Sequence, residues 1–588
     1  MNNIIINLKY MYWLNENSKK FLSKGYLMEG VTAEERIREI ANIAEKYLNK
    51  PGFSDKFYDY MSRGFYSLAS PVWSNYGLER GLPISCFSSY IGDDMSRILY
   101  THAEVGMMTK YGGGTAGHFA GLRPRGAVIK DNGQSSGAVH FMELFDNLIN
   151  IVSQGSVRRG HFAPYLPVEH ADIEEFLNIG KEGHPIQEST YAVTVTDKWL
   201  EDMVGGDEEK RKIWAKIIQR RTEIGYPYIL FSDTVNNNTV DVYKDKKMKI
   251  HGSNLCSEIA LPTSDEISFV CCLSSMNIKH YDEWKDTDAV ETLVMFLDTV
   301  ITSFIERLES LRDSADADKQ SAFYFMKRAH KFAKEHRALG LGVLGWHTYL
   351  QEHNIAFESK QAFDLNKEIF KLIHEKSYEA SKELAKEYGE PEILKGYGRR
   401  NTTLLAIAPT TSSAFILGQV SQGIEPVMSN AFVKDVDKMK VTIKNPTLEA
   451  LLEDKGMNNT DTWNSIRDND GSVQHLDFLT THEKMVFRTF SEIDQTAIID
   501  QAAERQEFID QSQSLNLMID PTITTKELNA LYLHAWKKGV KTLYYQHSMN
   551  AAQQFGRKKL QEAEMKKKQA IKDADENPDA NVCVSCEG

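Results

Sequence analysis

The 588-residue chain is 41% hydrophobic and 26% charged, the balance of a globular protein with material for a large core. Its net charge of −13 excludes a global basic field for a nucleic-acid polymer, although a local pocket can still bind nucleotides. Six cysteines are too few for a disulfide scaffold at this length, so thiols, metal ligands or redox catalysts are expected.

The opening residues Met1-Asn-Asn-Ile-Ile-Ile-Asn-Leu-Lys9 lack the basic segment and apolar run of a signal peptide. No later stretch reaches membrane-spanning length, and a cytoplasmic protein is expected. Thr32-Ala-Glu-Glu35 reads as a capping box, after which Ile37, Ile40, Ala41 and Ala44 share one helical face. From residue 67 to about 126 the text turns to short apolar runs broken by glycine and proline. Within it, Tyr111-Gly-Gly-Gly-Thr-Ala-Gly117 marks a sharp turn or a close backbone approach.

Residues 286–306 and 358–388 read as long helices, and 339–346 and 403–408 as buried strands. Residues 524–538 form an amphipathic helix stopped by Gly539, followed by strand-like residues 541–546. This alternation predicts an α/β fold. After about residue 556 the chain is mostly Lys, Glu, Asp and Gln, a solvated helix or tether that cannot build a core. It ends in Cys583-Val-Ser-Cys586.

The cysteines carry most of the chemical signal. No nearby Cys or His completes a zinc site with Cys583 and Cys586, whereas a dithiol on a mobile tail can exchange disulfides between a buried site and solvent. In Ser253-Asn-Leu-Cys-Ser-Glu-Ile259, an extended backbone would point Asn254, Cys256 and Glu258 to one side. An amide, a thiol and a carboxylate on one surface suit hydrogen-atom abstraction by sulfur with proton handling by the carboxylate. Taken alone, a buried structural cysteine beside a surface glutamate is an equally ordinary reading. Cys271 and Cys272 are adjacent, so on a strand they would face opposite ways. Cys86 lies far upstream.

Asn-Leu-Cys-Ser-Glu-Ile-Ala-Leu-Pro262, with a cysteine and Leu-Ser-Ser-Met-Asn277 shortly after, resembles the catalytic loop of ribonucleotide reductase large subunits. Ser67-Leu-Ala-Ser-Pro71, Ile84-Ser-Cys-Phe87, Ser153-Gln-Gly-Ser-Val-Arg-Arg-Gly160, Ala408-Pro-Thr-Thr-Ser-Ser413, Gly423-Ile-Glu-Pro426, Thr542-Leu-Tyr-Tyr-Gln546 and the terminal Cys-x-x-Cys follow in the family's order. The resemblance implies a ten-stranded α/β barrel of two antiparallel five-stranded halves with a central finger loop. It divides the chain into a helical region (1–66), the barrel (67–550) and a tail (551–588).

It also implies roles. Cys256 would carry a thiyl radical that removes the ribose 3′ hydrogen, Glu258 would take the 3′-hydroxyl proton, and Asn254 would orient the sugar. Cys86 and Cys271 would be the reducing pair, with Cys271 preferred to Cys272 by counting back from Leu-Ser-Ser-Met-Asn. Cys583 and Cys586 would be the tail shuttle. Tyr544 and Tyr545, an ordinary packed pair in isolation, would relay the radical from a small subunit's metal–radical centre, as in class I enzymes. No metal or other cofactor is expected in this chain itself.

Ser70, Ser85, the backbone near Gly114 and Thr410, Thr411, Ser412 and Ser413 match substrate positions. A turn after a strand and at the start of a helix suits a phosphate, so ribonucleoside diphosphates are implied. Asp93, Arg123 and Arg158 match positions for a nucleoside triphosphate specificity effector. The implied partners are a small (beta) subunit, a second copy of the chain, and thioredoxin or glutaredoxin as reductant. Some sixty residues before Ser70 are too few for the usual N-terminal ATP-cone, so control of overall activity by it is not expected. A cobalamin-dependent reductase and a non-catalytic thiol or zinc-binding protein are the rival readings.

Overall fold

The computed structural model describes residues 11–154, 159–436, 439–520 and 522–548. Nine strands make the main sheet: β1 (Tyr66–Leu68), β2 (Cys86–Tyr90), β3 (Gly114–His118), β4 (Phe162–Pro167), β5 (Ala192–Val195), β6 (Tyr228–Phe231), β7 (Phe269–Asn277), β8 (Leu339–Leu344) and β9 (Thr542–Leu543). Most of their residues are buried, which is the signature of strands covered on both faces.

Strands β2, β3, β4, β5 and β6 run parallel in that spatial order. Helices such as Met95–Lys110 and Ala138–Ile151 make the crossovers that parallel pairing requires. Strand β7 lies antiparallel on β2 and parallel to β8. From β8 the parallel run continues through isolated bridges, Leu341 to Leu405 and Ile407 to Gln513. Beside it, Tyr544 N–H donates to the Leu515 carbonyl (2.8 Å). Finally β9 pairs antiparallel with β6. The five parallel positions β2–β6 therefore face β7, β8, the two bridged segments around Leu405 and Gln513, and β9. Strand β1 lies antiparallel on the second half of β7, and the circuit closes as a ten-stranded α/β barrel.

Two sequence expectations need correction here. Residues 403–408 are extended but form only bridges, because Asp510 captures the Leu404 and Leu405 N–H groups with its side chain. The expected strand over 541–546 is interrupted: β9 stops at Leu543, and pairing resumes at Gln546–Ser548 against Leu517–Ile519. Tyr544 and Tyr545 occupy the break.

The long helices Ala289–Arg312 and Lys360–Tyr388 pack outside the barrel, as their apolar periodicity predicts. The helix Ala33–Leu48 opens on the predicted capping box and buries Ile37, Ile40, Ala41 and Ala44. A smaller apolar cluster around Leu448, Leu452, Trp463 and Ile466 supports the hairpin Ala431–Val436/Met439–Lys444. Among the described residues no helix is long and apolar enough to cross a membrane. The tail from residue 549 on, with Cys583 and Cys586, and Arg158 lie outside the described residues.

Candidate active site

Residues 251–263, between β6 and β7, form an irregular loop with almost every side chain buried. A loop so buried must find partners for its backbone polar groups. The barrel strands supply them. His118 on β3 bonds the Ser253 carbonyl (3.0 Å) and Ser88 Oγ (2.8 Å) through Nε2, and Thr263 Oγ1 (2.9 Å) through Nδ1. Burial lowers its pKa to about 3, so it is a neutral ring here. Tyr165 on β4 donates its hydroxyl to the Asn254 carbonyl (2.7 Å). The loop is thus pinned to the inner wall of the barrel.

The loop is not extended at Cys256, as the alternation argument assumed. It turns at Leu255 and Cys256, and Ser257 takes a left-handed φ of 67°. Asn254 Oδ1 closes the turn by accepting from Ile259 N–H (3.2 Å) and Ser253 Oγ (3.2 Å). Asn254, Cys256 and Glu258 are brought together by this turn and not by strand periodicity.

Glu258 is 1% exposed. Burial pushes its carboxyl up to about 7, against the opposing pull of hydrogen bonds, among them those from Asn254 and Ser514. Ser514 Oγ lies between the Cys256 carbonyl and Glu258 Oε2 (3.2 Å to the latter). A carboxyl poised near neutrality can take or return a proton.

Cys86 opens β2 and stands directly opposite Cys271 of β7 in the antiparallel register. Residues directly opposite share a face, and their Cα separation falls within disulfide range. Cys272 instead registers with Leu339 of β8 and points to the other face. Cys86, Cys256, Cys271 and Cys272 all carry thiols in the structure. Burial raises the pKa of Cys86, with the charges of Glu258, Cys271 and Cys256 adding to it; Cys271 is pushed up to about 12, also chiefly by burial.

Tyr544 and Cys256 lie in one buried cluster, and after burial the Cys256 thiol is the next cause holding the tyrosine's pKa up. The Tyr544 ring lies 4.5 Å from that of Tyr545, centroid to centroid. Tyr228, which sequence reading passed over, packs against both, at 4.5 Å and 5.1 Å between ring centroids. Burial is the main cause raising the pKa of both tyrosines, Tyr545 to about 12. Its apolar run Tyr228-Ile-Leu-Phe231 looked like any core strand, so nothing local flagged Tyr228.

Gly114, at the start of β3, donates its N–H to the Ser85 carbonyl (2.7 Å), and a Cβ there would lie 3.3 Å from Leu255 of the loop. Thr410 has a left-handed φ of 53°, its Oγ1 accepts from Gly423 N–H (2.7 Å), and a short helix begins at Thr411. Ser67 Oγ donates to the Ser413 carbonyl (3.2 Å), which brings this turn beside the segment where Ser70 opens its own helix. Arg123 pairs with Asp93 through Nε (2.8 Å) and its backbone N–H (3.1 Å). That pair lies beyond the end of β2 opposite to Cys86, separate from the cysteine cluster.

A family model described as the ribonucleotide reductase barrel domain matches residues 84–210, 206–394 and 391–546. A Frog virus 3 protein named as the large subunit of a ribonucleoside-diphosphate reductase is 35% identical over 567 residues, covering 93% of this chain and 94% of its own. The ribonucleoside-diphosphate reductase large subunit of Invertebrate iridescent virus 3 is 32% identical, with 84% and 87% covered. Among solved structures, the class Id ribonucleotide reductase alpha subunit of Actinobacillus ureae superposes with a TM-score of 0.86 at 55% identity, covering 92% of this chain and 98% of that one.

Proposed function

This chain belongs to the ribonucleotide reductase family as a class I large subunit, and we propose that it reduces ribonucleoside diphosphates to 2′-deoxyribonucleoside diphosphates through a thiyl radical on Cys256. The observation that carries the reading is the convergence of Tyr544 on Cys256, of Glu258 on the same turn, and of Cys86 opposite Cys271.

The small subunit's metal–radical centre supplies the oxidising equivalent. Tyr545 and Tyr544 suit its passage, being in ring contact and ending on Cys256. Loss of an electron and a proton leaves Cys256 as a thiyl radical, which takes the 3′ hydrogen of the ribose. Glu258 accepts the 3′-hydroxyl proton, a task that its near-neutral pKa fits. Asn254 orients the sugar. The 2′-hydroxyl leaves as water while the Cys86 and Cys271 thiols surrender their hydrogens and join as a disulfide. Cys256 then returns its hydrogen to the 3′ carbon and becomes a thiyl radical again, Glu258 gives its proton back, and an electron and a proton from Tyr544 restore the thiol. Cys256 is itself half-buried, on a loop whose other side chains are mostly buried, and this limits the radical's exposure to solvent.

Ser70, Ser85, the backbone at Gly114 and the turn Thr410, Thr411, Ser412 and Ser413 hold the substrate, the turn taking its diphosphate. Asp93, Arg123 and Arg158 serve the specificity effector, at an interface between two copies of the chain. Cys583 and Cys586 pass reducing equivalents from thioredoxin or glutaredoxin to the Cys86–Cys271 disulfide. Residues 1–66, 67–550 and 551–588 act as helical support, catalytic barrel and tether.

The test is deoxyribonucleoside diphosphate formation by the purified chain with a class I small subunit and a dithiol. Product that depends on the small subunit is expected. Turnover that instead requires cobalamin and ignores the small subunit would overturn the class I reading.

A further inference from the structure

One fully buried side chain touches both the reducing pair and the catalytic loop. Gln511 lies in the segment that follows the helix Gln495–Gln506 and enters the barrel wall, and it is 0% exposed. Its Nε2 donates to Cys271 Sγ (3.4 Å), to the Leu339 carbonyl (2.8 Å) and to Thr403 Oγ1 (3.1 Å). Its Oε1 accepts from Ala260 N–H (3.1 Å), two residues after Glu258. One carboxamide therefore spans from the loop bearing Cys256 and Glu258 to the sulfur of Cys271.

The backbone beneath this carboxamide is itself fixed. Lys541, 1% exposed, donates its Nζ to the carbonyls of Asp510 (2.8 Å), Gln511 (2.8 Å) and Ile509 (3.4 Å). Asp510 holds Leu404 N–H (2.6 Å) from the other side. Three residues further on, Ser514 reaches Glu258 and the Cys256 carbonyl. A buried polar group this heavily bonded has little freedom to rotate, and a sulfur in its reach gains a fixed donor.

We propose that Gln511 is a positioning residue for the reducing pair, holding Cys271 in register with the catalytic loop and stabilising its reduced sulfur. The proposal rests on Cys86 and Cys271 being that pair. In the step concerned, both thiols lose hydrogen, an S–S bond forms, and two electrons pass to the substrate as its 2′ C–O bond breaks and water leaves. A thiol or thiolate sulfur accepts a hydrogen bond better than a disulfide sulfur, so an N–H donor at Cys271 favours the reduced form. Removing a single hydrogen bond of ordinary net strength is worth about fivefold in an equilibrium constant.

The experiment is a redox titration of the full chain in a dithiol–disulfide buffer. The Cys86–Cys271 bond is read by thiol alkylation and peptide mapping, so the other cysteines do not interfere. In Gln511→Met, which keeps the volume without the donor, the equilibrium is expected to move about fivefold toward disulfide, which is about 20 mV more negative for a two-electron couple. In Gln511→Glu, whose protonated form keeps one donor and the acceptor for Ala260, a shift of about threefold in the same direction is expected. A merely structural role would lower the yield of folded protein without moving the midpoint of what folds. Wild-type midpoints in the folded variants overturn the proposal, and if Gln511→Met does not fold, Gln511→Glu alone decides. If the wild-type chain forms no Cys86–Cys271 disulfide, the reducing-pair reading has failed first, and this result is distinct from an unmoved midpoint.

Discussion

Cys86 and Cys271 face each other across an antiparallel strand pair, one register position from where Cys272 turns away. That single position separates two thiols that are adjacent in sequence and buried to the same degree, 1% exposed each. Their surroundings differ: Cys271 feels Glu258 and Gln511, whereas Cys272 feels Asp298 on the opposite side.

The register predicts the outcome of exchanging these cysteines. Cys271→Ser should abolish the disulfide formed on a single turnover and reduce product to background. Cys272→Ser should keep turnover within about twofold and lower stability by roughly 1 kcal/mol, since it places a hydroxyl in a packed core. Peptide mapping after one turnover and a thermal melt check both, and a Cys86–Cys272 disulfide in the wild type would reverse the assignment.

Glu258 predicts a pH dependence with a definite sign. In its proposed role as general base Glu258 must be ionised, so turnover should fall as pH drops through about 7, with that limb absent in Glu258→Gln. For stability the raised pKa works the other way. The folded chain binds more proton than the unfolded chain between the ordinary carboxylate pKa and about 7, so this group costs stability increasingly as pH rises across that window, and the cost is constant above it. At pH 8 Glu258→Gln should melt higher than wild type, by up to about 3 kcal/mol less the Ser514 bond it weakens. A lower melting point at pH 8 would show that the carboxylate is better satisfied than its burial implies.

Tyr544→Phe and Tyr545→Phe should separate chemistry from packing. Each removes one hydroxyl from a buried aromatic cluster, a loss of about 1 kcal/mol, or about 1 °C in Tm for a chain of this length. Turnover with the small subunit should nevertheless fall to background in both, because the proposed relay oxidises each tyrosine at its hydroxyl. Retention of more than a tenth of wild-type turnover in either would remove that tyrosine from the relay.

The loop anchors make a different forecast. Tyr165→Phe deletes the bond to the Asn254 carbonyl and should cost about 1 kcal/mol while lowering kcat more than it raises KM. Steady-state kinetics at saturating substrate distinguish this from a binding defect, which would raise KM alone.

The long helices were legible because their apolar residues recur at helical spacing, and the box at Thr32 and Glu35 marks a start that needs no tertiary context. Residues 403–408 and 541–546 were legible as extended but not as interrupted, since Asp510 and the break at Tyr544 act from elsewhere in the chain. Grouping Asn254, Cys256 and Glu258 by strand alternation assumed an extended backbone, whereas a turn carries the three. A left-handed Ser257 is a backbone choice that its side chain does not announce. His118, Tyr165, Tyr228 and Gln511 went unread for one reason: each acts across a separation of about 90 residues or more, to be seen only once the barrel brings its walls together.

The most direct test of the whole account is product formation by Cys256→Ser, with the small subunit and a dithiol present and wild type run alongside. The account predicts deoxyribonucleoside diphosphate from the wild type and none above background from the variant, with both proteins folded. Wild-type product from Cys256→Ser would contradict it, because the account places the thiyl radical on that sulfur alone.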